Sequence, residues 1–425
     1  MKILIIAHDV APLDLISSQR INHFIDFFSE KGYQIDVLTS KKREIDGPLK
    51  DFHKYKELQR KANFIEIPST LSKNNVIITQ EKTNISINKI NKKRELLKKV
   101  KAVLVKFTGQ LLDYRTIWAY NSIQYLKNNK FQYDVVITSS LPPCVNWLGW
   151  YIKSQSRNTL WIADFRDLWT LNHLVEYNFL SKKIDTFFEK KFLLKADLII
   201  TVSNDLSEKM RAFHKKEVLV VRNGFIPSEF SSISSNSAFF QDKNKIHVVY
   251  AGNIYKGRRD PTELLLLINK SNLANKVHLH FFGHYLANLE EIVKENNAED
   301  YCSFHSPLPR NQMLSVLKAS DFNLFLESSE TDAKGVMPGK IFELIALGNP
   351  ILTIGPKDDF ESVQLIKSSG LWIDLTDFIE KLKNNETCFS DIKDQSFLEK
   401  IAGRDEQVNR IHQYIEQKNF GKIGI

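Results

Sequence analysis

The feature that most constrains this chain is an alternation of short apolar runs with helical stretches, which occurs twice. Residues 2–7 are apolar, residues 17–31 carry Ile21, Phe24 and Phe28 at helical spacing, and residues 33–40 form another strand-like run. Strand, helix and strand in this order build a parallel sheet whose faces are covered by helices. A second series begins with the apolar run at 246–253. The sequence therefore predicts an α/β protein with two parallel sheets.

Strand-like runs continue through both halves, and a polar stretch separates the halves. The runs lie at 134–140, 159–165, 196–203 and 217–224, and then at 276–283, 301–307, 321–328 and 350–356. Between the two series, Asn223 and Gly224 form a turn signal, and residues 231–237 read SSISSNS. We predict one domain over 1–228 and another over 240–403. A final helix over about 404–425 is a candidate to pack back on the first domain.

The composition is that of a soluble globular protein. Of the 425 residues, 43% are hydrophobic and 26% are charged, and no apolar run approaches the roughly 20 residues of a membrane helix. The first run reads as a buried strand, not as a signal peptide. The three cysteines are too far apart for a disulfide framework, so we expect a reducing, cytoplasmic setting.

The segment 335–352 carries the pattern of a ligand-binding helix. Pro338 suits its start and Gly348 suits its end. Lys340 then lies in the first turn, where the helix dipole disfavours a cation unless an anion is bound beside it. Gly339 and the free amides of that turn would serve a diphosphate, and Glu343, one turn on, would accept from ribose hydroxyls. The alternative is an ordinary helix with a solvent-facing Lys340–Glu343 ion pair.

Three further groups carry candidate chemistry. The strand at 159–165 delivers Asp164, Arg166 and Asp167 to the carboxyl edge of its sheet, where they would orient sugar hydroxyls or merely brace a loop. The basic turn at 250–261 offers charges to a diphosphate. The first loop offers groups to an acceptor or donor anion, although one of its serines could instead be a helix cap. These last two groups are Lys256, Arg258 and Arg259, and Ser17, Ser18 and Arg20.

Two of these stretches resemble glycosyltransferase family 4, in its bacterial polysaccharide-biosynthesis branch. One is Glu343 with the apolar segment and Gly-x-Pro that follow it. The other is SLPP at 140–143 together with DFRDLW at 164–169. The resemblance implies a GT-B fold, with two Rossmann-like domains whose parallel sheets face each other across a cleft. It also implies that the first domain binds the acceptor and that the second binds a nucleotide-sugar donor.

The resemblance further implies roles for individual residues. Asp164, Arg166 and Asp167 would act at the reacting centre. Gly283 and Leu308 would place backbone groups beside the sugar and the base. The chain departs from the family pattern where Gly335 replaces a sugar-contacting Glu, and where Ser139 and Ser140 stand in place of a catalytic His.

The function that the resemblance implies is transfer of a sugar from a UDP-linked donor to a glycan or lipid-linked acceptor, with retention of configuration. We expect this in bacterial surface polysaccharide or glycoconjugate synthesis, with no metal and no cofactor, because the 11 histidines show no ligand spacing. The alternatives are a GT-B nucleotide-sugar epimerase and a non-catalytic GT-B module that binds glycan or lipid. Nucleic-acid binding rests on the net charge of +9 alone and is disfavoured, since no nucleic-acid-binding motif is present.

Part of the positive charge lies in one amphipathic segment. Residues 89–112 carry eight Lys or Arg against one acid, and their apolar residues recur at steps of three and four. Such a helix would dock on an anionic membrane surface, at the inner face of the cytoplasmic membrane. The alternative is that its apolar stripe packs on the core of the domain.

Overall fold

The chain folds into two compact units. In the computed structural model, the described residues are 1–13, 16–41, 51–69, 109–111, 113, 115–172, 175–252, 254, 259–283, 287–331, 334–386 and 394–423. The first unit contains Met1–Val202, Leu206–Val221 and Arg410–Ile425. The second contains Ser203–Asp205 and Arg222–Asn409.

The first unit is built on a seven-stranded sheet in which all pairs of neighbours are parallel. Its order is β3-β2-β1-β4-β5-β6-β7. The central strands are buried on both faces, as expected for a parallel sheet covered by helices. The strands are β1 Lys2–Ala7, β2 Gln34–Ser40, β3 Asn63–Ile67, β4 Val135–Ser140, β5 Leu160–Phe165, β6 Leu198–Thr201 and β7 Val218–Val220.

Among the described residues, six helices up to residue 214 belong wholly or mainly to this unit. They are α1 Ile16–Glu30, α2 Phe52–Lys61, α3 Arg115–Asn128, α4 Val145–Gln155, α5 Phe179–Leu193 and α6 Asn204–His214. Helix α1 follows β1 and buries Phe24 and Phe28 completely, as its apolar spacing predicts. The alternation of strands with helices gives the Rossmann-like arrangement that the sequence indicates.

The second unit has a six-stranded sheet, also parallel between all neighbours. Its order is β10-β9-β8-β11-β12-β13. One continuous core packs beneath it, with Tyr250, Phe281 and Phe322 fully buried. The strands are β8 Ile246–Ala251, β9 Val277–Phe282, β10 Cys302–His305, β11 Phe322–Leu326, β12 Ile351–Ile354 and β13 Trp372–Ile373.

The remaining described helices lie before, between and after these strands. They are α7 Pro227–Ser231, α8 Thr262–Lys270, α9 Ala287–Glu295, α10 Arg310–Ala319, α11 Gly339–Leu347, α12 Glu361–Ser368, α13 Leu375–Asn384, α14 Gln395–Ala402 and α15 Arg404–Ile423. Helix α11 ends at Gly348 in the left-handed conformation, which confirms the predicted cap. The last helix, α15, starts in the second unit and ends in the first.

The units meet in sequence at Val221 and Arg222, earlier than the predicted bounds of 228 and 240. The reason is that Phe225 forms a bridge with Gly403 and accepts from the Arg404 amide at 2.7 Å. The predicted linker is likewise part of the second unit, where the Asn236 amide donates to the Ser315 carbonyl oxygen at 2.9 Å. These backbone bonds tie residues 222–240 to the second unit.

The end of α15 packs on the first unit, as the final helix was expected to do. Tyr33 Oη lies 3.0 Å from His412 Nδ1, and Tyr414 Oη donates to the Asp197 carbonyl oxygen at 3.2 Å. Within the part of the chain that the structure describes, no helix is long and apolar enough to cross a membrane. The segment 89–112, predicted to dock on a membrane, lies outside the described residues except for 109–111.

Candidate functional site

The carboxyl edge of the first sheet brings together two groups that are far apart in sequence. Asp164, in β5, is fully buried, and Arg20, in α1, is nearly so. The Arg20 guanidinium donates to both Asp164 oxygens, from Nε to Oδ2 at 3.0 Å and from Nη2 to Oδ1 at 2.9 Å. Ser139, at the end of β4, donates to the same Oδ2 at 3.1 Å. Asp164 thus links α1, β4 and β5 at this edge of the sheet.

Arg166 and Asp167 follow β5 and lie nearer the solvent. Arg166 donates to Asp167 Oδ2 from Nε at 3.0 Å and from Nη2 at 2.8 Å. The Asp167 side chain is 47% exposed, whereas that of Asp164 is 0% exposed. Of the two carboxylates predicted at the reacting centre, Asp167 is therefore accessible from solvent and Asp164 is not.

The serines of the first loop lie inside α1. The helix begins at Ile16, so neither Ser17 nor Ser18 is the residue that precedes it. Ser17 is partly buried, while Ser18 is completely buried and its Oγ has no hydrogen-bond partner among the described residues. The anion-binding role of both serines stays a prediction.

In the second unit, Lys340 lies in the first turn of α11 in an unusual setting for a cation. Its Nζ is 4.7 Å from the centre of the Tyr250 ring and 5.1 Å from that of Phe325. The Leu326 carbonyl oxygen is 3.4 Å away. No carboxylate of the described residues lies within ion-pair distance of this ammonium group. Two aromatic rings and a distant carbonyl replace little of the hydration that the cation has lost.

The neighbouring charges make the cation still less stable. Burial and the positive charge of Arg259 lower the pKa of Lys340 to about 7, and the charge of Glu327 opposes them. Arg259 itself is held by Glu327, with Nη2 at 2.9 Å from Oε2 and Nε at 3.4 Å from Oε1. Among the residues that the structure describes, two cations and one carboxylate therefore meet at this edge of the second sheet.

The start of α11 adds donors to this group of charges. Pro338 precedes the helix, and no side chain caps it. The amides of Gly339 and Lys340 lie in the first turn, where a helix provides no acceptor of its own. Free amides and the positive end of the helix dipole favour an anion such as a phosphate group. The geometry here suits the diphosphate that the sequence predicts.

Glu343 pairs with an arginine and not with Lys340, so the simple ion pair considered as an alternative is not formed. Arg310 Nε donates to Glu343 Oε1 at 2.7 Å, and its Nη1 lies 3.1 Å from Glu229 Oε2. The two carboxylates raise the pKa of Arg310, against the effect of burial. Glu343 is partly exposed, so a ribose contact stays a prediction for its free oxygen.

The remaining predicted donor residues are placed as follows. Gly283 directly follows β9, and its amide donates to the His305 carbonyl oxygen at 3.2 Å. Leu308 lies in the loop before α10 and is partly buried. Gly335 is buried, and its carbonyl oxygen accepts from Ser203 Oγ at 2.7 Å. Lys256 and Arg258 lie outside the described residues.

Sequence reasoning missed Glu327, Arg310 and the two rings around Lys340. Glu327 directly follows β11, so the rule that sites lie at the carboxyl ends of parallel strands could have found it. Tyr250 and Phe325 lie within strands and look like ordinary core residues. Arg310 gives no sequence signal, because its partner Glu343 is 33 residues away.

Histidines also come together, although their spacing in sequence indicates nothing. His247 Nδ1 lies 3.0 Å from His280 Nε2, and His280 Nδ1 lies 3.3 Å from His305 Nε2, across three adjacent strands. Burial, with smaller effects from neighbouring histidines, lowers the pKa of His280 to about 3. These rings form a hydrogen-bonded chain. Among the described residues, no group of three or more potential ligands is arranged to hold a metal ion.

No protein-family model matches the sequence, and no curated protein matches it either. Solved structures do resemble the chain over nearly its whole length. Sucrose-phosphate synthase from Thermosynechococcus elongatus has a TM-score of 0.60 and 13% identity, and covers 99% of this chain and 100% of its own. The pneumococcal O-GlcNAc transferase GtfA, solved with UDP and GlcNAc, has a TM-score of 0.55 and 11% identity, with coverages of 98% and 99%.

An enzyme of another class shares the architecture. A candidate UDP-N-acetylglucosamine 2-epimerase from Listeria monocytogenes has a TM-score of 0.50 and 10% identity, and covers 98% of this chain and 96% of its own. At these identities the likeness establishes the fold alone. Together with the two parallel sheets, it shows that the chain has the GT-B fold with two Rossmann-like domains.

Proposed function

We propose that this chain is a glycosyltransferase that takes a sugar from a UDP-linked donor and transfers it to a glycan or lipid-linked acceptor. The observation that carries the proposal is the setting of Lys340. Among the described residues, no carboxylate pairs with this partly buried ammonium group, which lies beside Arg259 and a helix start. Such a setting is unfavourable alone and favourable once a diphosphate is bound. The fold supports the same reading, since solved glycosyltransferases share it.

The proposed roles follow from the charges. The donor diphosphate would lie at the start of α11, with Lys340 and Arg259 offsetting the charge that develops as the nucleotide leaves. The acceptor hydroxyl oxygen would attack the anomeric carbon on the face that the diphosphate leaves. As the bond between that carbon and the phosphate oxygen breaks, the hydroxyl proton would pass to the departing diphosphate. The configuration at the anomeric carbon is retained.

Asp167 is the group we assign to the acceptor side. Its exposed carboxylate would accept a hydrogen bond from an acceptor hydroxyl, while Arg166 restrains its orientation. The buried pair of Arg20 and Asp164 would keep the loop that carries Asp167 in place. Lys340 and Arg259 supply the charge that a metal ion supplies elsewhere, so we expect a chelator of divalent cations to leave turnover unchanged.

A donor screen tests the proposal. The melting temperature of the protein is measured with UDP-, GDP- and CMP-sugars. The donor that binds should raise it, because a ligand of the native state stabilises that state by mass action. UDP release should then require an acceptor mixture prepared from bacterial glycolipid and oligosaccharide. Conversion of the UDP-sugar to an isomer without any acceptor would instead identify an epimerase. No stabilisation by any nucleotide or nucleotide-sugar would indicate the non-catalytic module.

A further inference from the structure

Helix α5 (Phe179–Leu193) differs from an ordinary surface helix because it buries its acidic residues and exposes several large apolar ones. Its acidic residues point inward, where Asp185 and Glu189 are completely buried. Asp185 Oδ2 accepts from the Gln110 amide at 2.7 Å, and Glu189 Oε2 accepts from the Thr170 amide at 2.9 Å. The carboxylates of this helix are therefore used inside the first unit and contribute no acidic side chain to its outer face.

The outward face carries large apolar side chains instead. Phe179 is 77% exposed, Leu180 58%, Phe187 60% and Leu194, which caps the helix, 74%. Eight large apolar side chains are exposed among the described residues, and these are four of them. Positions 179, 183, 187, 190 and 194 follow one another in steps of four or three, so they form one stripe along the helix. Three of the four exposed apolar residues lie in this stripe, and Leu180 lies next to it. Isolated exposed apolar residues are ordinary, but a group of four on one helix face marks an interaction surface.

Lysines occupy the other positions of this face. Lys182, Lys183, Lys190, Lys191 and Lys195 are all exposed. Within the described ranges, no carboxylate lies at ion-pair distance from any of these five ammonium groups. Lys183 Nζ lies 4.4 Å from the centre of the Phe179 ring, and Lys191 Nζ lies 5.7 Å from that of Phe187. Two of the five cations therefore stand beside exposed rings of α5. Of the others, Lys190 Nζ lies 4.7 Å from the centre of the Phe213 ring, and Lys195 Nζ donates to Ser154 Oγ at 2.8 Å.

We propose that this face, the α5 surface, docks on an anionic lipid bilayer. Rings and leucines with interleaved lysines suit the boundary of a bilayer, where apolar groups enter the acyl region and ammonium groups meet anionic headgroups. A second copy of the chain fits less well. A two-fold symmetric contact would place the same patch on both sides and oppose five lysines to five lysines. The α5 surface is defined entirely by described residues.

The position of α5 gives the docking a consequence. The loop from Arg166 to Asn178 runs from the end of β5 to the start of α5. It lines a cavity of about 400 Å³ that also contacts Lys182. If the proposed transfer to a lipid-linked acceptor holds, docking through α5 would present this loop to an acceptor carried by the membrane. The lipid contact itself does not depend on sugar transfer and is tested without it.

Sedimentation of the full chain with vesicles tests the proposal. The vesicles are phosphatidylcholine alone or an equimolar mixture with phosphatidylglycerol, each at low and high salt. We expect binding to the anionic vesicles at low salt and release at high salt. The double variant Phe179→Ser/Phe187→Ser and the triple variant Lys183→Gln/Lys190→Gln/Lys191→Gln should each lower the partition coefficient at least about tenfold.

Two control variants remove the same kinds of group elsewhere. Tyr120→Ser/Leu266→Ser removes exposed apolar side chains, and Lys243→Gln/Lys270→Gln/Lys294→Gln removes three exposed lysines. Both should bind within about twofold of the original chain. The proposal is overturned if the original chain stays in the supernatant under all four conditions, or if the α5 variants bind as well as the controls do. It is also overturned if light scattering shows a dimer that only the α5 variants dissociate, because the face would then bind a second copy.

Discussion

The residue on which the proposed donor site depends is Lys340. A lysine ordinarily titrates near 10.5, but burial and the charge of Arg259 lower the pKa of this one to about 7. Near neutral pH the free protein is therefore a mixture of charged and neutral Lys340. A bound diphosphate would favour the charged form and raise the pKa again. Ligand binding and protonation are consequently linked at this residue.

This linkage predicts proton uptake on binding. At pH 8, about nine-tenths of free Lys340 is neutral, so UDP binding should take up close to one proton per chain. UDP affinity should fall as the pH rises from 7 towards 9, because the proton has to be taken from an increasingly basic solvent. Calorimetry at pH 8 in two buffers of different ionisation enthalpy measures the uptake. In Lys340→Met the uptake should vanish, and an equal uptake in that variant would exclude Lys340 as its source.

The two carboxylates at the end of β5 should behave differently when removed. Asp164→Ala removes the buried carboxylate to which Arg20 Nε and Nη2 both donate, and should lower the free energy of unfolding by about 3–5 kcal/mol. Asp167→Ala removes an exposed carboxylate and should change it by less than about 1 kcal/mol. Once the acceptor is known, Asp167→Ala should lower kcat with little change in UDP affinity. Denaturant unfolding and calorimetry separate these effects, and equal stability losses in the two variants would contradict the assignment.

At the scale of elements, the close approach of β12 to the end of β11 positions Glu327. Gly355 follows β12 with φ of +99°, and a Cβ atom there would lie 2.0 Å from the Glu327 carbonyl oxygen. Gly355→Ala should therefore displace Glu327, the partner of Arg259, and lower both stability and UDP affinity. Gly348 is the matched control, since its φ is +78° and nothing lies within 4 Å of an added Cβ.

The two glycine variants share backbone strain and differ only in the clash. Gly348→Ala should lower the free energy of unfolding by about 1 kcal/mol, with UDP affinity unchanged. Gly355→Ala should lower the free energy of unfolding by about 2 kcal/mol or more, which is clearly a larger loss than in Gly348→Ala. Denaturant unfolding and UDP calorimetry on both variants measure the comparison. Equal losses of stability and of UDP affinity in the two variants would mean that the backbone around Glu327 shifts to accommodate the added methyl group and that the site is unaffected.

Most elements follow from sequence patterns, and the exceptions have physical reasons. The long central strands and α11 are predictable because buried apolar runs and a helix cap leave strong local patterns. Strand β13 has two residues, too few for a period to be visible. Only part of the candidate site can be predicted from the sequence in the same way. Lys340 follows from its place in a helix, whereas its rings, the Arg259–Glu327 pair and the Arg310–Glu343 pair depend on tertiary packing.

At the scale of the whole molecule, the two units divide the predicted roles. The first carries the Arg20–Asp164 pair and the exposed Asp167, and the second carries Lys340, Arg259 and Glu327. The sequence predicts this division because the strand–helix alternation begins anew at residue 246. It misplaces the boundary because the backbone bonds of Phe225, which tie residues after 221 to the second unit, leave no mark in composition.

The most direct test of a donor site at the start of α11 is a calorimetric titration with UDP at pH 7. It compares the original chain with Lys340→Ala and with Lys270→Ala, which removes an exposed lysine of the same unit. We expect Lys340→Ala to lose about 1.5–3 kcal/mol of binding free energy, the range for a charged hydrogen bond, while its fold is kept. Lys270→Ala should bind UDP as the original chain does. Equal UDP affinity in all three proteins would contradict the donor site, and with it the proposed transfer mechanism.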